Sequence, residues 1–130
     1  MRLLLDTHIL LWWAGNDRRL SKSMRATIAS LENEIAVSAA TFWELAIKLQ
    51  LGRVEIDLGE LQSAVAADGF IEMPVEIAHT LRLQELPDLH RDPFDRLLIA
   101  QSIETSSRLV TRDQQILSYA GTAGFDPLSA

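Results

Sequence analysis

The sequence predicts an α/β fold: a parallel sheet with helices packed on both faces. Three observations carry that prediction. Short apolar runs of strand length recur along the chain, at Leu3-Leu4-Leu5, Ile35-Ala36-Val37-Ser38 and Arg108-Leu109-Val110-Thr111. Helical segments with recognisable caps lie between them. Runs of this kind end on a short polar residue that opens the next helix, as Leu5 does on Asp6.

Taken in order, the run ending at Leu5 is a buried strand, and Asp6-Thr7 hands the chain to a segment, Thr7 to Ala14, that is apolar on most sides. Gly15-Asn16-Asp17 stops it. Ser21 caps a helix from Lys22 to about Asn33, with Met24, Ile28 and Leu31 at helical spacing. After the Ile35–Ser38 strand, Ser38 or Thr41 starts a helix that runs to about Leu51 and ends at Gly52. Asp57 or Gly59 opens a helix to Ala67, Asp68-Gly69 turns, and Phe70 to Met73 forms a strand closed by Pro74. Glu76 to Leu86 reads as helix, terminated by Pro87. Asp92-Pro93 begins another, with Asp at the cap and Pro at the first helical position, continuing to about Thr105. The Arg108–Thr111 strand follows, Asp113 caps a last helix to Tyr119, and Gly124-Phe125-Asp126 adds a final strand.

Residues 1–130 are expected to form a single domain, long enough to bury its own core. With 48% hydrophobic and 23% charged residues the composition is that of a folded globular chain. The longest wholly apolar run, Ile9 to Ala14, falls far short of a membrane span, and Asp6 and His8 interrupt any signal-peptide core. No membrane association is expected, and a cytoplasmic location is. The absence of cysteine excludes disulfides, zinc–thiolate sites and thiol catalysis. Eighteen acidic against twelve basic residues leave a net charge of −6. Such a chain meets a nucleic acid only through a local basic patch or bound cations.

Four acids stand out: Asp6, Glu44, Asp95 and Asp113. Each has a plain structural explanation. Asp6 and Asp113 suit helix caps, Asp95 suits the third position of a helix capped by Asp92, and Glu44 suits an i,i+4 pair with Lys48. Together they say more. Asp6 and Asp113 both follow apolar strands, so a parallel sheet places them on the same edge, where open α/β sheets bind ligands. Asp95 opens a helix that is apolar nearly all round, and a buried carboxylate needs a partner or a cation. Crowded carboxylates repel one another unless positive charge intervenes, and hard divalent cations such as Mg²⁺ or Mn²⁺ supply it. The chemistry best suited to such a site is phosphodiester hydrolysis.

Four segments carry a family resemblance: Leu5-Asp6-Thr7-His8, Trp43-Glu44-Leu45-Ala46-Ile47-Lys48, the stretch from His90 through Asp92-Pro93-Phe94-Asp95-Arg96 to Gln101, and Leu109-Val110-Thr111-Arg112-Asp113. In these the chain resembles PIN-domain proteins, specifically the VapC-type toxins of type II bacterial toxin–antitoxin systems. The resemblance spans essentially the whole chain. It implies a PIN-like three-layer α/β/α sandwich with a central parallel β-sheet. It also implies a Mg²⁺- or Mn²⁺-dependent endoribonuclease, a homodimer, and a small cognate antitoxin whose C-terminal segment covers the acidic groove. Carried over, Asp6, Glu44, Asp95 and Asp113 match the acidic, metal-binding constellation; Thr7 and Thr111 match flanking hydroxyl positions and are expected as supporting substrate contacts. Lys48, Arg96 and Arg112, each near one of these acids, are candidates to contact the substrate phosphate.

Other residues fit structural roles. His8, His79 and His90 lack the spacing of a zinc motif, and Trp12 and Trp13 suit core or subunit interface. Two further readings stay open. One is a non-catalytic, metal-free interaction module whose acids only cap helices. The other is a phosphoaspartyl-transfer enzyme using Asp6, against which stands His8 where a second acid is wanted. DNA as substrate is not excluded by the residues themselves.

Overall fold

The computed structural model describes all residues 1–130. It contains five strands: β1 (Arg2–Leu5), β2 (Glu34–Ser38), β3 (Ile71–Met73), β4 (Arg108–Thr111) and β5 (Leu128–Ser129). They form one sheet in the order β3-β2-β1-β4-β5, and every pairing is parallel. Helices α1 (Thr7–Ala14), α2 (Lys22–Ala29), α3 (Ala39–Gln50), α4 (Leu58–Ala67), α5 (Ile77–Arg82), α6 (Pro93–Glu104) and α7 (Gln114–Leu117) occupy the connections.

The alternation of side chains along a strand explains why β1 is apolar without a break from Leu3 to Leu5. Leu3 and Leu5 enter one core with Ile9, Leu10, Ile28 and Leu45. Leu4, between them, enters the other with Leu98, Ile99, Leu109 and Ile116. All three leucines are fully buried. A strand at the centre of a parallel sheet covered on both faces has no polar side, and the three-layer α/β/α arrangement follows. β1 registers against β2 through Leu3↔Ile35 and against β4 through Leu5↔Val110. That register sets the ends of β1 and β4 side by side.

The caps fall largely as the sequence indicates. Ser21 accepts from the Met24 amide at 3.1 Å, and Asp57 from the Glu60 amide at 2.9 Å. Asp92 accepts from the Asp95 amide at 2.9 Å, with Pro93 opening α6. Ser38, not Thr41, caps α3, and Gly52 follows its end with φ +70.

Three expectations are corrected. α2 ends at Ala29 rather than Asn33, because the Asn33 side chain donates to the Thr27 carbonyl at 2.8 Å and closes the turn; Leu31 is left fully exposed. The helix expected from Glu76 to Leu86 is α5 followed by a 3₁₀ turn, Leu83–Glu85. The last strand is Leu128–Ser129 beside β4, while Gly124 ends a 3₁₀ turn, Thr122–Gly124, and Phe125 and Asp126 lead from it to the strand. No helix is long and apolar enough to cross a membrane.

Candidate active site

Asp6 ends β1 and caps α1. Its Oδ1 accepts from the Ile9 amide at 2.9 Å, and its Oδ2 accepts the hydroxyl proton of Thr111, the last residue of β4. Thr111 Oγ1 in turn accepts from the Asp113 amide at 3.1 Å. Asp113 caps α7 through the Gln115 amide at 2.8 Å. The ends of two neighbouring strands are thus tied by one hydroxyl. Only 4% of Asp6 is exposed, and burial raises its carboxyl above the ordinary value against the pull of Thr111 and Ile9.

Glu44 approaches from α3, buried despite its charge. Its Oε1 accepts from the Thr7 hydroxyl at 2.6 Å, and its Oε2 pairs with Lys48 Nζ at 2.9 Å. A buried carboxylate held from two sides satisfies the rule that buried charge be paired. Asp95 arrives on the first turn of α6, where His90 Nε2 lies 2.8 Å from its Oδ2. Burial pushes the Asp95 carboxyl up to about 6; the His90 contact opposes this, while Asp92 and Glu44 add to it through their charge.

All four acids line one cavity of about 210 Å³, together with Thr7, His8, Lys48, His90 and Asp92. Clefts of about 420 and 510 Å³ on other faces are lined mainly by apolar residues and hold none of the four. The acidic cavity lies at the carboxyl ends of β1 and β4, the edge where parallel sheets take ligands.

As the side chains stand, no three acidic or histidine groups are placed to share one metal ion. Each acid is held by its own neighbour, Asp6 by Thr111, Glu44 by Lys48, Asp95 by His90 and Asp113 by the Gln115 amide. The donor set is nonetheless one of hard oxygens, and burial raises the carboxyls of two members, Asp6 and Asp95, above the ordinary value.

Of the basic candidates, Lys48 lines the cavity and Arg112 lines an adjoining cleft that shares Asp6, His8 and Asp113. Arg96 is placed differently from the expected phosphate contact. Its Nη1 donates to the Pro87 carbonyl and the Tyr119 hydroxyl at 2.9 Å, and its Nη2 reaches the Leu86 carbonyl at 3.5 Å. The guanidinium is committed to holding residues 86–90. The two histidines in the cavity were not singled out from sequence as site residues. His90 reaches Asp95 because the loop before α6 folds back over its first turn; its position beside Asp92-Pro93 was the available signal. His8 was visible two residues after Asp6.

This arrangement, a parallel sheet with acids from four segments at its carboxyl edge, defines an α/β protein with a clustered carboxylate site. A model of the PIN domain matches residues 3–121, and the chain belongs to the PIN-domain family. It is 32% identical over 121 residues to Ribonuclease VapC22 of Mycobacterium tuberculosis, covering 90% of this chain and 91% of that protein. Among solved structures, VapBC2 from Rickettsia felis bound to a DNA fragment from its promoter superposes with a TM-score of 0.72 at 17% identity, covering 99% of this chain and 98% of that one. VapBC-5 from Mycobacterium tuberculosis, a member of the VapBC family of toxin–antitoxin systems, gives 0.66 at 15% identity, covering 99% and 98%.

Proposed function

We propose that this chain is a metal-dependent endoribonuclease, the toxin of a toxin–antitoxin pair, acting in the cytoplasm on RNA phosphodiester bonds. The observation that carries the reading is the convergence of Asp6, Glu44, Asp95 and Asp113 in one cavity at the carboxyl edge of the sheet. The 32% identity to a ribonuclease over nine-tenths of the chain supports the reaction type. The toxin–antitoxin neighbours support a small antitoxin partner, and a homodimer is proposed with it.

The donor set fits Mg²⁺ or Mn²⁺, held by Asp6, Asp95 and Asp113, with Glu44 a ligand directly or through water. Mg²⁺ keeps several waters and needs few carboxylates, so ligation by this set does not require three side chains already converged. When bound, the ion would polarise the phosphoryl oxygen and lower the pKa of a bound water. The remaining work falls to the protein. Thr111 fixes Asp6 and the start of α7 in one geometry, and Thr7 does the same for Glu44. Lys48 is proposed to meet the phosphate in the cavity, and Arg112 to meet the strand from the adjoining cleft, since the approach of RNA to an acidic pocket needs compensating charge. His90 holds Asp95 through one oxygen, Oδ2, and so orients the carboxylate while Oδ1 carries no hydrogen-bond partner.

One observation favours a second reading, the non-catalytic module: Asp6 and Asp113 each cap a helix, so part of the site has an architectural reason to be acidic. Phosphoryl transfer to Asp6 fits less well, since both of its oxygens are engaged and it is buried. The deciding experiment incubates the purified chain, free of antitoxin, with total cellular RNA in Mg²⁺, in Mn²⁺ and in EDTA. Cleavage is expected with either metal and none in EDTA. Asp6→Asn keeps a good capping residue and is expected to abolish cleavage while the protein stays folded. A folded Asp6→Asn protein that cuts like the parent would overturn the site.

A further inference from the structure

Beside the acidic cavity lies a second cleft of about 280 Å³ whose wall changes sign. Asp6, His8 and Asp113 are shared with the cavity; Trp12, Arg19 and Arg112 complete it. The Arg19 guanidinium carbon sits 5.2 Å from the centre of the Trp12 ring, and that of Arg112 sits 5.3 Å from the same ring. Arg112 Nη1 also donates to the Arg19 carbonyl at 2.6 Å, which ties the two arginines together. His8 leans on the same indole at 6.0 Å.

Two guanidiniums drawn to one indole repel each other, and attraction to the ring face offsets that only in part. Asp17 takes up part of the charge, pairing with Arg19 Nη2 at 2.7 Å and Nε at 3.1 Å. Arg112 has no ion-pair partner and is exposed. The cluster therefore keeps one arginine without an ion pair, Arg112, in the cleft beside a pocket that would otherwise repel a polyanion. A planar fork of N–H donors matches the oxygens of a phosphodiester.

We propose that Trp12, Arg19 and Arg112 form a clamp for the RNA phosphodiester next to the one seated in the acidic cavity, with Trp12 as the positioning residue that holds both guanidiniums. The inference deepens the nuclease reading and rests on it for the identity of the strand as RNA. Arg112 supplies most of the charge, Arg19 a smaller share because Asp17 holds two of its nitrogens. The clamp recognises backbone rather than base, so it adds affinity without sequence preference.

The test measures binding of a short single-stranded oligoribonucleotide in EDTA by fluorescence anisotropy, at several salt concentrations. Arg112→Gln is expected to weaken binding several-fold and to make the salt dependence shallower by about one. Arg19→Gln is expected to do less. Trp12→Leu keeps both arginines yet is expected to weaken binding as Arg112→Gln does, and Trp12→Phe to restore most of it. Absence of binding by the parent, or an unchanged salt slope in Arg112→Gln, would overturn the clamp; the second result holds even if Trp12→Leu folds poorly. Cleavage of total RNA by the same proteins separates the two readings. A parent that cuts while Arg112→Gln binds unchanged loses the clamp alone. The predicted salt pattern without cleavage keeps the clamp and overturns the nuclease.

Discussion

Asp95 carries the clearest consequence of placing acids together. Its carboxyl is raised from 3.8 to about 6 by burial and by Asp92 and Glu44 nearby. A raised carboxyl is held protonated more tightly by the folded chain than by the unfolded one. The stability of the metal-free protein therefore falls as pH rises from about 4 to about 6, the window between those two values. Asp95→Asn should accordingly stabilise the metal-free chain at neutral pH by about 1–2 kcal/mol, a figure reduced for partial solvent screening. The gain should vanish near pH 4. Thermal melts in EDTA at both pH values check it, and a mutant less stable than the parent at pH 7 would contradict it. The positions of Asp6 and Asp113 were legible from sequence because Asp6 directly follows one apolar strand and Asp113 lies two residues past another. The His90–Asp95 contact was not, because it depends on how residues 90–92 fold back over α6. Arg96 misled for a related reason: its partners, the 86–90 backbone and Tyr119, are distant in sequence or unmarked by any motif.

Among the elements, the loop between α5 and α6 has no regular structure after its 3₁₀ turn, yet it positions His90 over the cavity. It is pinned from below. The Tyr119 hydroxyl accepts from the His90 amide at 2.9 Å and the Leu89 amide at 3.2 Å, and from Arg96 at 2.9 Å. Tyr119 itself is fully buried. Tyr119→Phe keeps the ring and removes the acceptor, leaving those donors short of a partner, at a cost of about 1–3 kcal/mol. Urea unfolding should show that loss. Hydrogen exchange at the Leu89 and His90 amides should quicken more than in the strands. Helix starts were read well because caps are local chemistry. Helix ends were read less well: Asn33 turns back through its side chain to stop α2, and helical spacing alone placed exposed Leu31 on the buried face.

For the molecule as a whole, a bound ion should act on stability as well as reactivity. A ligand that binds only the folded chain stabilises it by about 2.7 kcal/mol at one hundred times its dissociation constant. Mg²⁺ or Mn²⁺ should therefore raise the melting temperature of the parent and leave Asp6→Asn nearly unmoved; equal shifts in both would count against the four-acid site. The α/β class was legible because strand-length apolar runs alternate with capped helices. The strand order came with no such signal, since periodicity marks elements and not their neighbours. β1 at the centre pairs with β4, whose residues come more than 100 positions later. During synthesis, Asp6 is made before Glu44 and Asp95, and more than 100 residues separate it from Thr111 and Asp113. A growing chain interrupted between Asp95 and Thr111 carries three of the four acids but no β4 beside β1, so the pocket assembles only once β4 has emerged.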